Sequence, residues 1–240
     1  MDEALERVAL LLKDDNLNIL NNSCVMIIGI GGVGSYAAEA LARSGVNNLI
    51  LVDHDDIAIS NLNRQIHATV NTINRKKTEA MKERILSINP KCNVEEIQSF
   101  FSKDLESIFN KKIDYVIDAI DTVSSKIDII EICHKYNIKC ISSLGMANRL
   151  DPSKIIKTTL DKTSYDPLAK ACRQLVKKRN IKYKINVVVS LEMPIKQNIE
   201  VNSCGKTRKE KIPPSSMIFT PATAGLLCAS IVVRDLCNIK

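Results

Sequence analysis

The sequence predicts a doubly wound α/β fold: a mainly parallel sheet covered on both faces, with a smaller C-terminal extension of mixed strand and helix. Three observations carry this. Apolar runs alternate with amphipathic helical patterns through the first 145 residues, the rhythm of strands joined by crossover helices. The first apolar run leads through Gly29-x-Gly31-x-x-Gly34 straight into a helical pattern, giving a buried strand, a tight turn and a helix N-terminus. Beyond Asp151-Pro152 the rhythm changes to isolated strands, a basic helix and one strongly apolar helix.

Taken in order, residues 1–22 read as an N-terminal helical arm and 23–150 as a nucleotide-binding core. Residues 151–240 complete the same single domain. Strands are expected at Val25–Ile28, Leu49–Val52, Val94–Ile97, Tyr115–Ala119 and Lys139–Ser143, the first two being unbroken apolar runs suited to burial on both faces. Helical patterns fill 34–44, 76–88, 103–109 and 124–136, and Pro90 is a helix stop after Ile85–Ile88. The second strand ends in Asp53, placed to hydrogen-bond a ribose hydroxyl. Further on, Ile155–Leu160 and Ile185–Ser190 read as strands flanking a basic helix at 166–178. Residues 196–214 read as a polar, lysine-rich and mobile loop. Thr223–Leu236 is an apolar helix for which core packing and a subunit interface are both open.

Composition narrows the class. A chain of 240 residues buries a sizeable core, and with 4% aromatics and no Trp that core rests on Ile, Leu, Val and Ala. The opening Met1-Asp-Glu is acidic, and the longest apolar segment, Ala222–Val233, is too short to span a bilayer, so a cytoplasmic, membrane-free protein is expected. The eight cysteines include no Cys-x-x-Cys pair and are expected to be buried reduced thiols. The net charge of +7 is uneven, with cations crowded at Arg173–Lys184 and again at Lys206–Lys211. Solvated faces and a phosphate-backbone footprint both account for such runs.

The glycine turn alone fits any dinucleotide-binding enzyme. The residues after Asp53 separate a redox cofactor from a reacting ATP. Ser60-Asn61-Leu-Asn-Arg64-Gln65 follows, then Lys76-Lys77 opening a helix, then Asp118-Ala-Ile-Asp121 where the fourth strand ends. Ligands of a doubly wound sheet sit at the carboxyl ends of strands, so these groups share one rim with the turn. Attack on the α-phosphate of ATP needs charge neutralisation, which Arg64 and Lys77 supply. A strand-end carboxylate such as Asp121 can hold Mg²⁺ against phosphate oxygens. Hydride transfer needs neither.

Gly-x-Gly-Gly-x-Gly, the Asp53 strand end, Asn61-x-x-Arg64-Gln65, Lys77 and Asp118-Ala-Ile-Asp121 together resemble the ThiF-type, Rossmann-like fold of ubiquitin-activating and sulfur-carrier-activating enzymes. Within that superfamily the chain is most similar to the tRNA threonylcarbamoyladenosine dehydratases. That similarity runs through Ile66-His67, Ile88-Asn-Pro90, Lys126, Leu150-Asp-Pro152, Asp166-Pro-Leu-Ala169 and Thr220–Leu227. The resemblance implies ATP contacts from Gly29, Gly31, Gly32, Gly34, Asp53, Asn61 and Gln65, with Arg64, Lys77 and Asp121 acting on the phosphates and Asp121 on Mg²⁺. It implies a homodimer in which Arg7 reaches the partner's triphosphate, although Leu5 stands where an aromatic usually precedes that arginine. The implied reaction is ring closure on a modified adenosine of tRNA through an acyl-adenylate, with Arg173, Lys177, Lys178 and Arg179 gripping tRNA phosphates. No enzyme thiol is required, and His54 and His67 are expected in solvated or hydrogen-bonded structural roles. A sulfur-relay partner and a monovalent ion stay open. The rival readings are activation of a ubiquitin-like sulfur carrier, a non-catalytic nucleotide-binding subunit, and an NAD-dependent dehydrogenase.

Overall fold

The computed structural model describes residues 3–196 and 214–239. Seven strands form one sheet in the order β3-β2-β1-β4-β5-β7-β6. They are β1 (Cys24–Ile28), β2 (Asn48–Val52), β3 (Asn93–Ile97), β4 (Tyr115–Asp118), β5 (Lys139–Ser143), β6 (Ile155–Thr159) and β7 (Asn186–Ser190). All neighbours pair in parallel except β6, which runs antiparallel to β7 and forms one edge. The C-terminal extension therefore widens the core sheet.

The helices are α1 (Glu6–Leu12), α2 (Asp14–Asn22), α3 (Gly34–Arg43), α4 (Lys77–Ile88), α5 (Val123–Lys135), α6 (Pro167–Lys178) and α7 (Phe219–Leu236). Side chains alternate across each strand, so β1 sends Val25 and Ile27 to one face and Met26 and Ile28 to the other. The first face is covered by α3, α4 and α7, with Leu41, Met81, Ile85 and Ile231 in its core. The second is covered by α5 and α6, through Ile129, Ile132, Ala169 and Cys172. The predicted 103–109 helix is a 3₁₀ segment, Lys103–Asn110, that buries Phe109 against this second face. By length and composition α7 could cross a membrane, yet its residues Ala224, Cys228 and Val232 are buried in the first core and it packs on α3. Core packing accounts for that side of α7, while Leu226 remains exposed.

Register places the strand ends on one rim. Ile28 sits opposite Val52 and Asp118, and Asp118 opposite Ser142. The helix after β1 and the helix after β4 cover opposite faces, so the crevice between these neighbouring strands is the topological switch point, where doubly wound folds bind ligands.

A buried ion pair lies just beneath that crevice. Lys126 Nζ donates to Asp118 Oδ2 at 2.8 Å, to Ser142 Oγ at 3.1 Å and to the Ser143 carbonyl at 2.9 Å. Asp118 Oδ1 accepts from the Ile120 amide at 3.3 Å, which ties the rim loop after β4 to β5 and α5. Both charged side chains are fully buried. Removing one partner leaves the other buried and uncompensated, at a cost of about 3–5 kcal/mol. Lys126→Met is therefore expected to lower unfolding free energy by that amount in urea denaturation, and a loss below about 1 kcal/mol would show the pair to be dispensable.

Candidate active site

A cavity of about 620 Å³ opens at the switch point. Its floor is the glycine turn. Gly29 has φ +91° and donates its amide to the Val52 carbonyl at 2.8 Å. A Cβ there would sit 2.8 Å from the Ala119 carbonyl oxygen, and one on Gly34 would sit 1.8 Å from the Gly29 carbonyl oxygen. Only glycine permits this approach of turn, helix and neighbouring strand. Gly31 and Gly32 line the cavity, and α3 starts at Gly34 with no side-chain cap, which leaves the helix N-terminus available to an anion.

Asp53, expected to meet a ribose, also holds the turn. Its Oδ2 accepts from the Ile30 amide at 2.7 Å and its Oδ1 from the Asp55 amide at 2.8 Å. Lys77 is buried at the start of α4, with Nζ 2.5 Å from Asp55 Oδ2 and 3.8 Å from Asp53 Oδ1. Burial alone would raise the Asp55 carboxyl, but the hydrogen bond and charge of Lys77 hold it below its ordinary range. Lys77 is thus oriented on the cavity wall by two carboxylates.

Arg64 lines the cavity from a loop that its own residues rigidify. Asn61 Oδ1 accepts from the Ala58 amide at 3.0 Å, and Arg64 Nη1 donates to the Ser60 carbonyl at 2.6 Å and to Asn63 Oδ1 at 2.9 Å. Gln65 is buried on the cavity wall, and its Oε1 has no partner among the described residues. An unsatisfied buried acceptor costs roughly 1–3 kcal/mol, so this atom points to a ligand donor.

Asp121 lines the cavity with an exposed carboxylate, just before α5. It suits Mg²⁺, which takes one or two carboxylates together with phosphate oxygens. Asp53, His54 and Asp55 also bring ligand atoms within 4.8 Å of one another. There Lys77 already supplies the positive charge, so Asp121 is the better cation ligand.

A ThiF family model matches residues 5–237. The chain belongs to the ThiF family. It is 44% identical to a tRNA threonylcarbamoyladenosine dehydratase of Bacillus subtilis over 236 residues, 96% of this chain and 93% of that protein. The structure of Escherichia coli TcdA in complex with ATP superposes with a TM-score of 0.87 at 32% identity, covering 98% of this chain and 93% of that one. Similarity to the E. coli sulfur carrier protein ThiS adenylyltransferase is 34% over 138 residues, only 57% of this chain.

Within this ThiF fold, Arg7 is exposed on α1 and does not line the cavity of its own chain. The four cations read as a tRNA grip divide in two. Arg173 donates to the Thr163 carbonyl at 3.0 Å and to the Thr163 hydroxyl, and Arg179 binds Asp128 and Glu131 at 2.6 Å each. Each thus spends one guanidinium nitrogen on partners within the protein, and the Arg179 side chain stays 26% exposed. Lys177 and Lys178 are exposed. Residues 197–213, with the second basic cluster and most of the loop expected at 196–214, lie outside the described residues.

The far half of the cavity was missed. Asp166 caps α6 through the Leu168 amide at 2.9 Å and also accepts from the Gly145 amide at 2.8 Å. Buried Arg149 donates to the carbonyls of Gly145, Ala147, Tyr165 and Glu192. Together they fix a loop whose residues line the cavity beyond Asp121. The Asp166-Pro167 pair is a helix-start signature, but nothing local in sequence pairs it with Gly145. Among the described residues no cysteine lines the cavity, and burial pushes Cys24 and Cys172 up to about 11 and Cys92 and Cys228 up to about 12.

His67 departs from the hydrogen-bonded role expected for it. It is buried off the cavity wall with neither ring nitrogen partnered among the described residues. Burial, then the nearby charges of Lys77 and Arg84, push its imidazole down to about 4. The folded state thus binds fewer protons than the unfolded chain between about 4 and 6.5. His67 costs no stability above about pH 6.5, and its penalty grows as pH falls, reaching about 3 kcal/mol near pH 4. His67→Phe should remove that component, so the stability difference between variant and wild type should shift by about 3 kcal/mol in the variant's favour between pH 7 and 4. A pH-independent difference in parallel urea titrations would contradict a buried neutral imidazole.

Proposed function

We propose that this chain catalyses the ATP-dependent dehydration of threonylcarbamoyladenosine in the anticodon loop of tRNA. The observation that carries the reading is one continuous cavity with two halves. The glycine turn, Arg64, Lys77 and Asp121 furnish a triphosphate site, and the loop fixed by Arg149 and Asp166 furnishes room beside it for a second reactant. The near full-length similarity to a dehydratase of that name supports the same substrate.

In this mechanism the threonyl carboxylate attacks the α-phosphate of ATP and pyrophosphate leaves, giving an acyl-adenylate. The carbamoyl group of the same nucleoside then attacks the acyl carbon, the ring closes and AMP departs. Arg64 and Lys77 neutralise charge that builds on the phosphates. Lys77 is preset for this by Asp53 and Asp55, and the turn amides by Asp53. Asp121 would hold Mg²⁺, whose charge would further screen the phosphate oxygens. Because the second nucleophile belongs to the substrate, effective concentration replaces an enzyme thiol. Among the described residues the thiols are buried or otherwise kept off the cavity wall.

We further propose a homodimer, with Arg7 serving the partner's site. The support is a surface feature: Leu10 and Leu11, beside Arg7 on α1, are 79% and 81% exposed. A tRNA substrate is compatible with a cytoplasmic protein, and a sulfur-relay protein is a compatible further partner.

Incubation with ATP, Mg²⁺ and tRNA carrying the modified adenosine should convert that nucleoside to a product lighter by one water, read by mass spectrometry after digestion. An unchanged nucleoside with folded, ATP-binding protein would sink the proposal. Arg64→Ala should lower turnover at least about a hundredfold, the scale of losing one transition-state charge contact, without unfolding the protein. Arg7→Ala should be similarly impaired. Co-expressing it with Arg64→Ala should restore part of the activity, because mixed dimers regain one intact site. Absence of recovery would place Arg7 outside the partner's site.

A further inference from the structure

The other end of the sheet carries a second shallow cavity, of about 470 Å³, lined by Glu131, His134 and Lys135 from α5 and by Asn180–Tyr183 after α6. Helices α5 and α6 start at the catalytic rim, where Thr122 and Pro167 line the large cavity, and both end here. At 1.5 Å rise per residue, the 13 residues of α5 put the two cavities about 20 Å apart.

The rings of His134 and Tyr183 are stacked, with centroids 3.7 Å apart and planes at 14°. Tyr183 is half-buried and His134 exposed, so the pair presents an aromatic surface to solvent on a supported base. Exposed Lys177, Lys178, Lys182 and Lys184 surround it in the chain. The acidic groups on this side are already matched: Asp128 and Glu131 bind Arg179, and Glu106 binds Lys135 at 2.6 Å. An open aromatic face among unspent cations is complementary to a nucleobase flanked by phosphates.

We propose that this cavity is a second RNA contact, at which an unpaired base of the tRNA stacks on His134 while Lys177, Lys178 and Lys182 hold neighbouring phosphates. The inference rests on the tRNA reading above and extends it to a part of the RNA distant from the reacting nucleoside. Arg173 and Arg179 act here as struts: Arg179 fixes the end of α6 on α5, which supports the stacked pair.

Stacking and phosphate contact differ in salt dependence, and the test uses that difference. Affinity of the full-length protein for tRNA is measured by fluorescence anisotropy at several salt concentrations. His134→Ala should weaken binding about tenfold with an unchanged slope of log affinity against log salt, while His134→Phe should retain wild-type affinity. Lys177→Gln with Lys178→Gln should flatten the slope by about one to two. ATP affinity should be unaffected in all three, which excludes general damage to the fold. Wild-type tRNA affinity in His134→Ala, or loss in His134→Phe equal to that in His134→Ala, would overturn the stacking contact. If wild type dehydrates tRNA and His134→Ala binds it equally well, the second contact alone falls. If wild type neither binds nor dehydrates tRNA, both readings fall.

Discussion

The site depends on how closely the turn after β1 passes the end of β4. Gly29 backs onto the Ala119 carbonyl, and Gly34 onto the Gly29 carbonyl, at distances that exclude a side chain at either position. This approach closes the floor of the switch-point crevice, opens α3 without a cap, and leaves backbone amides as its inner surface. Asp53 is the clasp: reaching from β2 to the Ile30 amide, it holds the turn in that shape. In the proposed mechanism Arg64, Lys77 and Asp121 serve because phosphates would come this near to main chain, and a bulkier turn would hold the triphosphate away from all three.

Around that floor, rigidity is graded by burial. Below it, Asp118, Lys126 and Ser142 form a dry network that positions the Ala119–Asp121 segment from underneath. Beside it, Lys77 is held between two carboxylates, which aim its ammonium group. Opposite, Arg149 ties together four carbonyls from separate segments, and desolvation without a directly bonded carboxylate lowers its otherwise very high pKa. The far half of the cavity thus has a shape of its own in the absence of any second reactant.

Much of this was legible in the sequence for a definite reason. Central strands such as β1 and β2 are buried on both faces and so are continuous apolar runs; the polar edge strands β3 and β6 were set by their apolar ends, and all seven could be read to within a residue or so, as could the glycine turn and the end of β2 at Asp53. The residues assigned to the nucleotide site stand in recognisable spacing, and besides Arg7 all ten of them are either cavity wall or, in Gly34, its support. What stayed hidden were pairings set only by tertiary structure. Asp118 with Lys126, Gly145 with Asp166, and Arg179 with Asp128 and Glu131 are each separated by loops or whole elements. A charge run cannot say which of its members also bond within the protein, as Arg173 and Arg179 do while Lys177 and Lys178 are exposed.

The central claim is that the turn presents ATP as a reactant whose α-phosphate is attacked by the substrate's own carboxylate. The most direct measurement uses tRNA whose threonylcarbamoyl carboxylate carries heavy oxygen, with mass analysis of the released nucleotide and phosphates. One labelled oxygen in AMP, with unlabelled pyrophosphate, is the predicted result. Label in inorganic phosphate with release of ADP would mean that the γ-phosphate is attacked, and would contradict this account of the site.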